Sequence, residues 1–163
     1  MELSGLEGIF TAGARGKALA ALIKDRKAAY TVLAGLPASA PAMLLGSLKA
    51  LHKPALVVAD DPEAAGYLYN DLVQILGTEA VQIFPSGYKR DIRYGQPDPP
   101  AQILRTEALA ACASPSMRYI VSCPEGLAEM VPSPGILETA SLRLSKGQRI
   151  LMSEATDRLL ELG

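Results

Sequence analysis

The chain has 163 residues, 49% hydrophobic and 20% charged, and a net charge of −1. That length supports one domain, or one domain with a short piece of another, around a core that needs no covalent staples. The charge balance excludes a general pull toward nucleic acid or membrane surfaces, and two cysteines with one histidine exclude the usual zinc patterns.

Residues 14–28, A-R-G-K-A-L-A-A-L-I-K-D-R-K-A, carry Leu19, Leu22 and Ile23 at helical spacing. Thr31-Val-Leu-Ala is a short apolar run ending at Gly35 and reads as a buried strand. Ser39 is placed to N-cap the next helix, with Pro41 in its first turn and Met43, Leu44, Leu45, Leu48 and Leu51 on its inner face. His52-Lys-Pro ends that helix, and Pro54-Ala-Leu-Val-Val-Ala begins a second, fully apolar strand. Asp61 then caps a helix that has Pro62 at its first position and Gly77 as its stop.

Val81-Gln-Ile-Phe is a third strand, and the Pro- and Gly-rich residues 85–100 form a loop. Pro99-Pro100 open a helix through Ile103, Leu104, Ala108, Leu109 and Cys112. Arg118 to Cys123 is a fourth strand, and Pro124 starts a helix through Leu127, Ala128 and Met130. Strands alternate with helices, and the strands are apolar on both faces. This predicts an α/β domain of three layers with a mainly parallel sheet, over 1–135. The texture changes at 136–163. Residues 136–144 alternate like a strand, Lys146-Gly-Gln is a turn, and Ser153 caps a Leu-rich helix ending at Gly163. This tail is expected to be the beginning of a next, truncated domain.

Set on the P-loop pattern G-x-x-x-x-G-K-[ST], Gly35 fits the first glycine, but Ala40, Pro41 and Ala42 stand where the second glycine, the lysine and the hydroxyl residue belong. Each loss removes a function: closure around the phosphates, their neutralisation, and the hold on magnesium. Pro41 also lacks an N–H donor. The loop is therefore expected to be a degenerate P-loop without a cofactor.

Asp60-Asp61 after an apolar strand fits a Walker B aspartate or a ribose-binding acid, and, with more weight, a helix cap for Asp61. Cys123 ends a strand where a nucleophile would sit, with no base supplied by the sequence, so packing is the simpler reading. His52 reads as a helix-terminal residue favoured by the dipole. The spacing of Cys112 and Cys123 leaves a disulfide open, although free thiols suit the cytoplasmic setting expected from a start, M-E-L-S-G-L-E-G, that lacks a basic n-region. Aromatics are 5% with no tryptophan, so an aromatic-lined cofactor box is not expected. No apolar run reaches membrane-span length. Residues 88–94 interleave Tyr88 and Tyr94 with Lys89, Arg90 and Arg93. This is the best candidate surface for a partner or DNA, although Asp91 dilutes it and a solvated connection is the simpler reading. No catalytic constellation and no metal site stand out.

Several segments in order carry a resemblance: H-K-P-A-L-V-V-A-D-D-P-E-A-A-G-Y-L-Y-N-D-L, V-Q-I-F-P-S-G-Y, R-Y-I-V-S-C-P-E-G-L, and the tail L-R-L-S-K-G-Q-R-I. Residues 30–163 resemble the helicase subunit UvrB of nucleotide excision repair. They are more similar to the UvrB-homology module at the start of bacterial transcription-repair coupling factors, the Mfd family. In UvrB the P-loop is intact and a long hairpin after the third strand clamps DNA. Here the P-loop is degenerate and the segment between Phe84 and the Pro99-Pro100 helix is too short for that hairpin.

The resemblance implies a UvrB domain 1a-like fold and a module without enzymatic activity of its own. The family's ATP- and magnesium-dependent DNA translocase lies in later domains, as do its contacts with RNA polymerase and DNA. The module would be a scaffold for UvrA recruitment and interdomain contacts in transcription-coupled repair of DNA damage. From the residues alone, two alternatives stand beside it: a small stand-alone enzyme taking a nucleotide or other phosphate ligand at the Gly35 loop, and a DNA-binding module using Lys89, Arg90 and Arg93.

Overall fold

A computed structural model describes residues 9–10, 12–25, 30–48, 54–89, 95–142 and 144–162. In chain order the elements are α1 (Ala14–Asp25), α2 (Ala40–Ser47), β1 (Ala55–Val58), α3 (Pro62–Leu76), β2 (Val81–Phe84), α4 (Pro99–Ala111), β3 (Tyr119–Ser122), α5 (Pro124–Ala128), α6 (Pro134–Thr139) and α7 (Met152–Leu162). The protein is mixed α/β, and two compact units divide it at Met1–Glu129 and Met130–Gly163.

Among the described residues the first unit holds a three-stranded sheet in the order β1-β3-β2. Both outer strands run parallel to β3, with Ala55 and Val81 each opposite Tyr119. The chain passes over β3 on its way from β1 to β2 and returns through α4. Parallel crossovers are right-handed, so opposite directions of travel put α3 and α4 on opposite faces. The burial agrees. Val81, Tyr119, Val121 and Cys123 form one core with Ala65 and Leu72 of α3 and Ala42 of α2. On the other face Phe84 packs under α4, where Arg105 lies over its ring.

Local chemistry explains α3 best. The Asp61 side chain accepts the Ala64 N–H at 2.8 Å, Pro62 opens the first turn, and Gly77 at φ 86° ends the helix. Its inner residue Leu72 is fully buried. α2 packs close to α3 through small residues. Ala42, Gly46 and Ser47 are its buried positions, and a Cβ on Gly46 would come within 2.6 Å of Ile75. The Tyr119 hydroxyl donates to the Leu45 carbonyl at 2.7 Å and ties this helix to the sheet. Met43, Leu44, Leu45 and Leu48 are half-buried; of these Leu45 packs against the core, while the buried positions are the small ones. Leu51 and His52 lie outside the described residues. Ser39 stands at the N-cap position, but its side chain makes no capping bond.

Three other expectations are corrected. Residues 31–34 form no strand; Val32 and Leu33 are 80% and 49% exposed. Their neighbours supply no ladder, and an apolar run without a partner strand buries nothing. β1 is not buried on both faces: as an outer strand it leaves Leu56 and Val58 about half exposed. α4 forms where Pro99-Pro100 open it; Ile103 and Leu104 are exposed on it, and its buried positions are Ala101, Arg105 and Ala108. Met130 falls after α5 and is exposed.

The second unit contains α6 and α7. Where alternation suggested a strand over 136–144, Ser133-Pro134 starts α6 instead, because proline suits a first helical turn and the alternating stretch is too short to compete. The turn at Lys146–Gly147 is present, with Gly147 at φ 89° and Gln148 N–H bonded to Ser145 O. α7 begins at Met152, which puts Ser153 inside the first turn rather than at the cap. Gly163 lies outside the described residues. Among the described residues no helix is long and apolar enough to cross a membrane.

Candidate functional site at the C-terminal edge of the sheet

All three strands of the sheet end on one edge, and the turns that follow them carry the polar residues. Ligands of open α/β sheets bind along this edge. Asp60 follows β1, Ser86 and Gly87 follow β2, and Cys123 opens α5 after β3.

The best-built cluster lies above β2 and β3. Arg105 reaches in from α4 with 8% of its surface exposed. Its guanidinium lies 4.0 Å over the Phe84 ring, and one nitrogen donates to the carbonyls of Pro85 at 2.7 Å and Gly126 at 2.9 Å. The same nitrogen is 3.4 Å from the Glu129 carboxylate. Glu129 in turn accepts from Ser86 Oγ at 2.5 Å and from the Gly87 N–H at 3.0–3.1 Å. A planar, permanently charged guanidinium suits this site because it bonds, pairs and stacks at once.

Two glycines let the parts approach. A Cβ on Gly126 would sit 2.7 Å from the Phe84 carbonyl, and one on Gly87 would sit 3.1 Å from the Glu129 carboxylate. Ser122, almost fully buried, donates to that same Phe84 carbonyl at 2.6 Å. No buried side-chain polar atom among the described residues lacks a partner.

Beside the cluster is a cavity of about 660 Å³ lined by Ser86, Tyr88, Lys89, Gly95, Glu125, Ala128 and Glu129. The described ends of the loop beside it are paired with each other. Tyr88 and Pro97 form an antiparallel bridge, Lys89 N–H bonds to Gln96 O, and Asp98 N–H bonds to Gly87 O, each at 2.8 Å. The loop therefore has a short stem with Lys89 on it. Tyr88 is 47% exposed. Arg90, Arg93 and Tyr94 lie outside the described residues.

A second cavity, of about 510 Å³, lies at the start of α2, where the P-loop pattern would put phosphate. Gly35 has φ 75° and Ala38 has φ 48°, the latter a left-handed conformation that costs an L-residue about 1–2 kcal/mol. Ala40 and Pro41 open α2, and Ala42 is fully buried against the core. Among the described residues the lining includes Pro41, Asp60 and Asp71 and no basic side chain. Carboxylates repel a phosphate. With no strand before Gly35, the strand–loop–helix frame of a P-loop is not formed here, which corrects the nucleotide-site shape expected from the sequence.

Asp61 acts as the helix cap. Asp60 lines the second cavity. Cys123 is 1% exposed, and burial pushes its thiol above the ordinary range, although the Gly126 backbone bond works the other way. A nucleophilic cysteine needs the opposite shift, so Cys123 packs rather than reacts. Both cysteines are free thiols, Cys112 exposed. Among the described residues no group of three or more His, Cys, Asp or Glu could hold a metal.

The cluster of Arg105, Glu129, Ser86 and Gly87 is what sequence reasoning missed. A signal was present: Ala101, Arg105 and Ala108 share i, i+4, i+7 spacing, which puts one arginine on an otherwise small, inward face. No protein-family model matches the chain, and neither do the curated proteins or the solved structures.

Proposed function

We propose that this chain is a non-catalytic N-terminal module of a transcription-repair coupling factor. It acts as a scaffold for UvrA recruitment and for contacts with other domains in transcription-coupled nucleotide excision repair. The observation that carries this reading is the coincidence of the family-like segments with consecutive structural units. The first segment spans β1 and α3, the second covers β2 with its Ser86–Gly87 turn, and the third covers β3 and α5. The acidic cavity at the degenerate P-loop supports a module that holds no nucleotide itself. In this reading ATP and magnesium are used by later domains, which also meet RNA polymerase and DNA. The protein works in the cytoplasm.

Calorimetric titration with ATP–Mg and with NAD should give no binding heat, whereas a labelled chain should bind purified UvrA saturably. Micromolar binding of either nucleotide would favour a stand-alone phosphate-ligand enzyme and sink the scaffold. Failure to bind UvrA at micromolar concentration would sink the recruitment role.

One observation favours a second reading, a direct DNA contact. The stemmed loop holds Lys89 in a defined position next to the residues that include Arg90 and Arg93. A gel shift at low salt, repeated with all three changed to Ala, tests it; binding that the changes leave intact counts against it.

A further inference from the structure

Pairing with β3 uses only one side of β1. The Ala55 N–H donates to the Arg118 carbonyl at 2.8 Å and the Ala59 N–H to the Ser122 carbonyl at 2.9 Å. Peptide groups alternate along a strand, so the N–H and C=O groups of Leu56 and Val58 point away from β3. Among the described residues no group bonds to them. Val57 and Ala59 face the core under α3, so Leu56 and Val58 share the opposite face, where both are about half exposed. Sheet edges are usually blunted by charge, a bulge or a covering segment. Ala55-Leu-Val-Val carries no charge. We propose that the open edge of β1 pairs, antiparallel, with the same edge of a second copy of this chain.

The outward groups fix the register. A two-fold axis at Val57 sets Leu56 of each copy opposite Val58 of the other. Each such pair exchanges two N–H···O=C bonds, so every outward group of the two residues is used. A slip of one residue opposes an outward group to one already bonded to β3. A slip of two sets Val58 opposite Pro54, which has no N–H, or Leu56 opposite Asp60, where the chain already bends toward α3. The chosen register also joins Leu56 and Val58 of both copies into one apolar patch on the uncovered face, a cross-strand contact that favours such pairs. A second copy suits this edge on charge. Residues 55–59 are uncharged and the whole chain carries only −1, so two copies repel little, and a partner selected by charge has nothing here to read.

The test uses the whole chain. Sedimentation equilibrium from about 1 to 200 µM should show a reversible monomer–dimer equilibrium, as a small interface would give. Hydrogen exchange reads the edge itself. The Leu56 and Val58 amides should slow about tenfold from the lowest to the highest concentration. The Ala59 amide, bonded to Ser122 O within the chain, should stay protected at both. Val58→Lys puts a charge on the seam and should return the chain to monomer, with Leu56→Lys as the second variant. Urea unfolding checks that each variant is folded. Met130→Lys, at an exposed apolar residue outside the sheet, should leave the dimer intact. Any of three results overturns the proposal: a monomer at every concentration, a dimer that both lysine variants leave intact, or Leu56 and Val58 amides whose exchange does not change with concentration. Amides equally protected at both concentrations would mean that the edge is paired within one chain, as the apolar run at residues 31–34 could do.

Discussion

Replacing Gly126 by alanine sets two effects against each other. Gly126 lies in α5, where alanine would normally gain about 0.5–1 kcal/mol from its better helical propensity. The new Cβ, however, would stand 2.7 Å from the Phe84 carbonyl oxygen, where ordinary contact begins at 3.4 Å, so 3.4 − 2.7 leaves 0.7 Å to be found. The other near atoms are Pro85 C and the buried Ser122 Oγ, each at 3.0 Å, so yielding falls on backbone rather than on a flexible side-chain end. Overpacking of this kind costs about 1–3 kcal/mol. Moving the Phe84 carbonyl also strains its 2.6 Å bond from Ser122, a bond worth about 1 kcal/mol. The sum predicts a net loss of about 2 kcal/mol. Gly66 in α3 is the control, because a Cβ there meets nothing within 4 Å and the propensity gain of about 0.5–1 kcal/mol should appear unopposed. Urea unfolding followed by tyrosine emission measures both. The protein has no tryptophan and all six tyrosines lie at or before Tyr119, so the signal reports the first unit alone. Gly126→Ala at or above the parent's stability, with Gly66→Ala behaving as expected, would refute the close approach.

Three further outcomes follow from the same structure. Asp61→Ala removes the acceptor for the Ala64 N–H and should cost about 1 kcal/mol in the same assay, with Asp61→Asn recovering most of it. The Cys123 thiol and the Tyr119 hydroxyl are both pushed above their ordinary values, chiefly by burial. Groups raised in the folded state keep their protons longer than in the unfolded chain, so stability is full below the ordinary thiol value of 9.0 and falls as pH climbs through the raised one. Urea midpoints should hold to about pH 9 and then decline, more shallowly in Cys123→Ala once its own packing loss is subtracted. In the native protein at pH 8, iodoacetamide should label Cys112 well before Cys123; the reverse order would contradict the burial of Cys123.

The elements with chemical punctuation were legible in the residues. Asp61-Pro62 and Gly77 marked both ends of α3 because a cap, a ring with no N–H and a positive-φ stop act within a few residues of themselves. β2 and β3 were legible as compact apolar runs between turn residues. Local chemistry also shows that Ala40, Pro41 and Ala42 lack the groups a P-loop requires, whatever surrounds them.

What a side chain meets across the fold was not legible. Thr31-Val-Leu-Ala and Ala55-Leu-Val-Val look alike as sequence, yet only the second found a strand to pair with, and even it is left half exposed at the sheet's edge. Composition cannot distinguish edge from centre, because strand order is set by crossovers tens of residues long. Arg105 is the sharpest case. Its charge marks it for solvent, and helical spacing alone turns it inward. It stays there because the Pro85 and Gly126 carbonyls, the Phe84 ring and Glu129 converge on it from two other stretches of the chain. Local groups decide where elements start and stop; only the assembled fold supplies the distant acceptors that let a charge be buried.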